Sequence, residues 1–535
     1  MLPVETDPPE VTIAFGPRIE TLTGSRPEAL AFGNGRVVAE GAVADLQRCF
    51  PRAVTRRLPG ALLVPGFNDA HLHPSFAAQQ ALWVDLGPRR ARDRGESLAL
   101  LRERADRAGE GEWIIGAGYD VVHAPPPRLD RRSLDTVSTR HPVYVIGSTW
   151  HAAVANSRAL DVITADPAAT GSGGTLSRDR DGELDGWMYE LPHMTAAWSG
   201  SILPELPRPA LAGALREQNS RLNAHGITSY TDALVTPGTW AAYELLRREP
   251  GQTARAGIAL WHAHRGLIGS LPLGSGFGDE WLRFVGVKLM YDGALSGGTC
   301  LCSEPYEGPA GSGTGIQVLS RAELTEIVAG LHGRGIRACV HANGDAAIAD
   351  VLDAVEAARS RFPQVDVSHR IEHCSITDDA LIERIAACGV IAVPFGGFVR
   401  YYGDDLVRMY SAPRAARVAR HASLLAAGVS VAGSSDFPCG PVDVLTALDS
   451  LTSRTTESGR VIGERERLDV RRALWVYTAG SALATGEAAI KGRLAPGYLA
   501  DFTVLSEDIL KAEPGWPDRT RIVSTWVGGR QVWPR

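Results

Sequence analysis

The chain has 535 residues, of which 44% are hydrophobic and 22% charged. This is the balance of an ordinary globular protein, and it excludes a disordered tail, a collagen and a small disulfide scaffold. A formal charge of −6 spread over this length without a block of basic residues offers no footprint for nucleic acid or an anionic membrane surface, and no run reaches the roughly 18 apolar residues of a membrane span. Small molecules are the expected partners.

Residues 1–10 are acidic and proline-bearing, without the basic start and apolar stretch of a secretory signal. The seven cysteines are an odd number with no second zinc-type pair, so reduced thiols and a cytoplasmic location are expected. Residues 1–64 read as short β-runs with turns (VTIAF, ALAFGNGRVVAEG), and the same texture returns over 486–535 (LADFTVLSEDI, RIVSTWVGGRQVW), so both chain ends are expected to build one small β-sandwich domain. Between them, over 65–485, eight apolar β-runs alternate with helical patterns: LLVPGFNDAHLH, GITSYTDA, ARAGIALWHAH, FVGVKLMYDG, GIRACVHANGD, SHRIEHC, GVIAVPF and GVSVAGSSDFP. The alternation predicts an α/β protein with a (β/α)8 TIM barrel. About 75–209 breaks the rhythm with a charged helical segment, a Pro-rich loop and a Gly-rich loop, which predicts an inserted subdomain over the barrel mouth.

The strand ends carry the chemistry. His71 and His73 stand at i and i+2 on one strand and point the same way, while Lys288, His341, His373 and Asp436 lie at the ends of other runs. A barrel brings all such ends to one face, where imidazoles and a carboxylate form a metal-ligand set. With 14 histidines in the chain, about 0.4 His-x-His pairs arise by chance; the second pair, His262 and His264, lacks the turn residues around PGFNDAHLHP and is read as incidental. Lys288 is conspicuous because 52 of the 55 basic residues are arginine. A buried neutral amine can add CO₂ to give a carbamate, which arginine cannot; the alternative is a lysine paired with Asp292 or Asp436.

PGFNDAHLHP, GVKLMYDG, HANGDAAI, RIEHC and SSDFP, in this order, together with WIIGAGYD, HAAVANSRAL, DGELDGWMYE and the ending from ALWVYTAGSALATGEAAI to LADFTVL, resemble the metal-dependent amidohydrolase superfamily. Within it they are most similar to amidohydrolase family 3, the branch of YtcJ-like proteins and N-substituted formamide deformylases. The resemblance implies a site with His71, His73, Lys288, His341, His373 and Asp436 as metal ligands, and Asp436, His373 and Lys288 at the centre of catalysis. It implies Zn²⁺ as one ion, or two if Lys288 is carboxylated, activating a water whose proton Asp436 accepts and returns to the leaving nitrogen.

His151 matches a substrate-facing histidine of the insert, and Trp83, Tyr119 and Phe395, with Trp150, Trp187, Phe398, Tyr401 and Tyr402, are candidate aromatic walls. Asp345 is expected to orient His341. Glu372 is expected on the opposite side of its strand with a structural role, and Cys300 and Cys302 as buried loop thiols. Asn343 and the GGFVRYYGDD loop depart from the family pattern and leave the substrate open.

The expected function is hydrolysis of a non-peptide C–N bond in a small amide, with an N-substituted formamide as the leading class. Hydrolysis of a cyclic amide, imide or carbamate, deamination on the same fold, and a catalytically silent barrel with a binding or regulatory role are the alternatives. A homodimer is the base-rate expectation for assembly.

Overall fold

The computed structural model describes residues 11–534 except 122, 249–250, 270–272, 307–312 and 512–515; the expectation drawn from residues 1–10 lies outside the described residues. The chain is a mixed α/β fold around a nearly closed, barrel-like sheet of seven parallel strands: β1 (Phe67–Leu72), β2 (Ile227–Val235), β3 (Arg255–Trp261), β4 (Leu282–Met290), β5 (Ala338–Ala342), β6 (Arg370–His373) and β7 (Ile391–Val393). They are hydrogen-bonded in sequence order, from β1 to β7. Nearly every residue in them is buried, because the barrel interior covers one face and the surrounding helices the other, and this is why they read as continuous apolar runs.

The eighth run does not form a regular strand. Residues 430–436 lie between the two edges instead: Ala392 N–H donates to Ser430 O (3.0 Å) and Ala432 N–H to Ala392 O (2.9 Å), while on the other side Ala70 N–H donates to Gly433 O (2.9 Å) and Asp436 N–H to His71 O (3.0 Å). Parallel bridges at Ala392–Val431 and Phe395–Ser434 complete this seam.

Helices follow the strands where the sequence supplies their caps. Ser320 and Glu323 form a reciprocal capping box at the start of Arg321–His332, and Asp378 caps Asp379–Ala387. Residues 84–190 hold a separate six-stranded sheet, ordered Gly174–Arg178, Leu184–Glu190, Ala152–Ala155, Val143–Gly147, Ile114–Tyr119 and Val84–Asp85. Its core includes Phe76, Tyr144, Trp150 and Trp198 together with Leu234, Trp261 and Met290 from the ends of β2, β3 and β4. The insert therefore shares its apolar packing with the barrel mouth.

The chain ends form a four-stranded and a five-stranded sheet, the second pairing Leu62–Pro65 with Phe502–Leu505. Residues of both sheets share one core, in which Phe502 stacks on Trp526 (5.3 Å) and Phe32 packs at 5.6 Å from Phe502. Among the described residues no helix is long and apolar enough to cross a membrane, and all seven cysteines are free.

A buried ion pair ties this β-structure to the barrel. Arg255, at the start of β3, donates from Nε to Asp501 Oδ2 (2.7 Å) and from Nη2 to Asp501 Oδ1 (3.0 Å), while its guanidinium lies 4.5 Å from the Trp281 ring centroid. The two side chains are 3% and 6% exposed. Removing one partner strands the other charge away from water, at a cost of about 3–5 kcal/mol. Asp501→Ala is therefore expected to lower unfolding stability in urea by that amount, whereas the equivalent change at the exposed Asp45–Arg48 pair should cost less than about 1 kcal/mol.

Candidate metal centre

The C-terminal ends of the strands converge on a cluster of imidazoles around Asp436. One ligand atom from each of His71, His373 and Asp436 lies within 4.8 Å of the others. Two ligands of one tetrahedral zinc ion at about 2.0–2.2 Å stand about 3.4 Å apart, the separation of His71 Nε2 from Asp436 Oδ1. His73 Nε2 is 3.3 Å and His71 Nε2 3.4 Å from Asp436 Oδ1. His341 packs against His373 with ring centroids 4.5 Å apart, and His373 against His71 at 4.7 Å. Lys288, His73, His341, His373 and Asp436 all line one small cavity.

The outward nitrogens are held from behind. His71 Nδ1 donates to Glu372 Oε2 (2.5 Å), and Glu372 is fixed in turn by Arg370 through Nε to Oε1 (2.7 Å) and Nη2 to Oε2 (2.8 Å). His341 Nε2 donates to Gly293 O (3.1 Å) and stands 3.4 Å from Asp292 Oδ1, which leaves Nδ1 for the cavity. His73 Nδ1 faces Asp232 Oδ1 at 3.9 Å. Asp232 is anchored on its other oxygen by Tyr243 OH (2.7 Å) and Ser75 N–H (3.2 Å). His151 Nδ1 donates to Glu190 Oε2 (2.8 Å).

His71 Nε2, the nitrogen on the Asp436 side of the ring, is buried without a hydrogen-bond partner. An inward imidazole nitrogen stripped of water and given no donor is what a cation would satisfy.

Electrostatics match the donor set. Burial brings His73 down to about 4, and burial with neighbouring positive groups holds His341 and His373 well below the ordinary histidine value; the neutral ring is the form that ligates. Burial works against the Asp436 carboxylate, but the imidazoles of His373, His71 and His73 gathered around it hold it well below the usual range. Burial lowers the Lys288 pKa. Lys288 is 1% exposed and forms no ion pair among the described residues, so the pairing with Asp292 or Asp436 considered above is not made. Burial also disfavours charge on His151, yet the Glu190 carboxylate outweighs it and the net shift is upward.

Of the candidate substrate contacts, His151 and Phe395 line the space beside the cluster, with Phe398, Tyr402 and Asn343. Trp83 lines an adjoining cavity. Tyr119 stands apart: it lines a separate cleft in the insert, where its hydroxyl accepts from Leu129 N–H (3.2 Å) and its ring packs 6.2 Å from Trp187. His262 and His264 form a 3₁₀ turn after β3, and His264 Nε2 donates to Trp198 O (2.9 Å).

Asp345 and Glu372 differ from their sequence expectation, whereas Cys300 and Cys302 are the buried thiols expected. Asp345 does not reach His341; its carboxylate accepts from Ser303 N–H (2.8 Å) and Oγ–H (2.6 Å), and Asp292 stands beside His341 in its place. Glu372 faces His71 because His373 has φ 69° and leaves the strand, so the alternation that would separate residues 372 and 373 ends there. Cys300 and Cys302 are buried with their sulfurs 3.7 Å apart, packed against Tyr306 and Tyr410.

Asp232 and Asp292, the second considered only as a partner of Lys288, were missed as supports of the histidines, as was Glu190. The first two sit at strand ends in TDA and YDG, so the rule applied to the histidines would have found them. Glu190 carries no comparable signal, lying in an insert strand far from β4 and β5 in sequence.

His71→Ala is expected to deplete bound divalent metal, measured by elemental analysis after dialysis. Glu372→Gln should keep the fold and weaken metal affinity about 10–100-fold in chelator competition, because the orienting hydrogen bond is weakened while all ligands remain.

A family model described as the amidohydrolase family (Amidohydro_3) matches residues 58–533. YtcJ of Bacillus subtilis (strain 168) is 28% identical over 96% of this chain and 97% of its own length. The N-substituted formamide deformylase of Arthrobacter pascens is 27% identical over 94% of each chain. A crystal structure of an uncharacterized metal-dependent hydrolase from Pyrococcus horikoshii OT3 superposes with a TM-score of 0.76 at 25% identity, covering 95% of this chain and 99% of the other. With its imidazole–carboxylate cluster at the end of a parallel barrel-like sheet, and a family match spanning most of its length, the chain belongs to the amidohydrolase family and is a metal-dependent hydrolase.

Proposed function

We propose that the enzyme hydrolyses the C–N bond of a small non-peptide amide, with N-substituted formamides as the leading class. The carrying observation is the size of the space beside the cluster. The cavity lined by Lys288, His73 and Met290 has room for about 20 Å³, and the one lined by Asn343, Phe395 and Ser296 for about 40 Å³. A formyl or similarly small acyl group suits such confinement.

Phe76 stacks on Trp150 (4.2 Å) and lies 5.5 Å from Trp198. Both Phe76 and Trp198 also line a further cavity of about 190 Å³ with Trp83, Leu203 and Leu211. This aromatic wall supports an apolar substituent on the nitrogen. The similarity to a formamide deformylase points the same way.

In this reading His71, His73, His341, His373, Asp436 and Lys288 hold the metal, with zinc the ion best suited to neutral imidazoles and carboxylate. When bound, such an ion polarises the amide carbonyl and lowers the pKa of water to about 7. Asp436, held as a carboxylate, takes the proton from the attacking water and delivers it to the departing amine. Asn343 and His151 face the same space and orient the amide. Burial favours the neutral Lys288 amine, which on adding CO₂ and losing a proton would become a carbamate that could help hold a second ion. The partner is a small amide, and the odd cysteine count accords with a cytoplasmic setting.

Formate release from a panel of N-substituted formamides tests the substrate class; turnover confined to other amides would overturn it. Asp436→Asn is expected to lower kcat by about 10²–10⁴-fold while retaining fold and most metal. Lys288→Arg should lose one metal equivalent and most activity, whereas full activity with unchanged metal would refute the carbamate.

A further inference from the structure

A carboxylate–imidazole pair in the insert stands beside the metal cluster. His151 lines the spaces on both sides of Asp436, and its ring centroid is 5.1 Å from that of His341. Its Nδ1 donates to Glu190 Oε2 (2.8 Å), and its Nε2 makes no hydrogen bond among the described residues. The two residues are joined a second time through the backbone, Glu190 N–H donating to His151 O (2.9 Å).

The carboxylate is itself doubly committed. Glu190 is fully buried, and its Oε1 accepts from the hydroxyl of Thr299 (3.0 Å) in the loop that follows β4. Both carboxylate oxygens are thus taken by donors from opposite sides of the cavity, one from the insert and one from the barrel.

Two backbone observations show that this contact is built in. Glu190 has φ 58° and ψ −119°, a conformation that is costly for an L-residue and that tends to persist where function requires it. A Cβ on Gly293 would stand 2.6 Å from Glu190 Oε1 and 2.3 Å from Thr299 Oγ1, so a residue with no side chain at that position leaves the space the carboxylate occupies.

We propose that Glu190 is a positioning residue that acts through His151: it fixes the imidazole by Nδ1 so that Nε2 is the atom that hydrogen-bonds the amide group of the substrate, in the cavity that His151 lines together with the metal ligands. The insert then supplies a substrate contact for the reaction, and Thr299 locks that contact to the barrel loop. A carboxylate behind an imidazole sets its ring orientation and tautomer, and loss of such a partner is costly even when the imidazole remains. The proposal rests on the amide-hydrolase reading above.

A double-mutant cycle tests it on the metal-loaded enzyme, using whichever amide the wild type hydrolyses best. His151→Ala and Glu190→Gln should each lower kcat/KM about 10–100-fold with metal content unchanged, and the double variant should be no slower than His151→Ala alone, since coupled residues are non-additive. Multiplicative losses, or no loss from Glu190→Gln, would overturn the positioning role.

If the wild type hydrolyses no amide in the panel, the substrate reading fails and the pair is read structurally. Crystal structures of wild type and Glu190→Ala should then show the His151 ring leaving its place in the variant. A ring that stays put would overturn the proposal independently of activity.

Discussion

An imidazole can offer a metal or a substrate only one nitrogen at a time, and in a dry site the other must have a partner or its burial is wasted. The arrangement at the barrel mouth follows from that constraint. Glu372 holds His71, Asp292 and Gly293 O flank His341, Asp232 stands behind His73 and Glu190 holds His151. These partners come from four different parts of the chain, so no local segment can build the site alone. The barrel is needed because only a closed parallel sheet presents so many backbone ends to one point.

Charge is balanced by the same residues. Burying Glu372 would favour its acid form, but Arg370 and then His71 hold it below the ordinary carboxylate range. Asp292 and Asp232, backed by neutral donors, are pushed up by burial to about 7 and about 6. The cluster therefore combines carboxylates that are firmly ionised with others near their midpoint, and the hydroxyl of Tyr243 and the backbone N–H groups around Asp292 take the place of counter-ions.

Much of this was legible before any coordinates. The strands were visible because a parallel sheet covered on both faces is apolar along its whole length, and the inward residues were visible because His, Lys and Asp are conspicuous at the ends of such runs. The insert's sheet was less so, since its short strands and loops lack a sustained period. Glu372 was misjudged by a period-two rule that a single positive φ at His373 breaks, and Asp345 by its closeness in sequence to His341. The irregular seam at 430–436 could not be read as such, because its start, Val429 to Ala432, has the texture of a strand and only the pairing on either side distinguishes it.

The Arg255–Asp501 clamp and the metal cluster lie at opposite ends of the same set of strands. What fastens the chain ends to the barrel thus shares no side chain with what touches substrate. A lineage can rebuild the loops and the insert around the mouth, trading one substrate for another, without drawing on the interactions that keep the chain folded. That separation of stability from selectivity gives room for family members only about one-quarter identical to this chain to keep the same architecture.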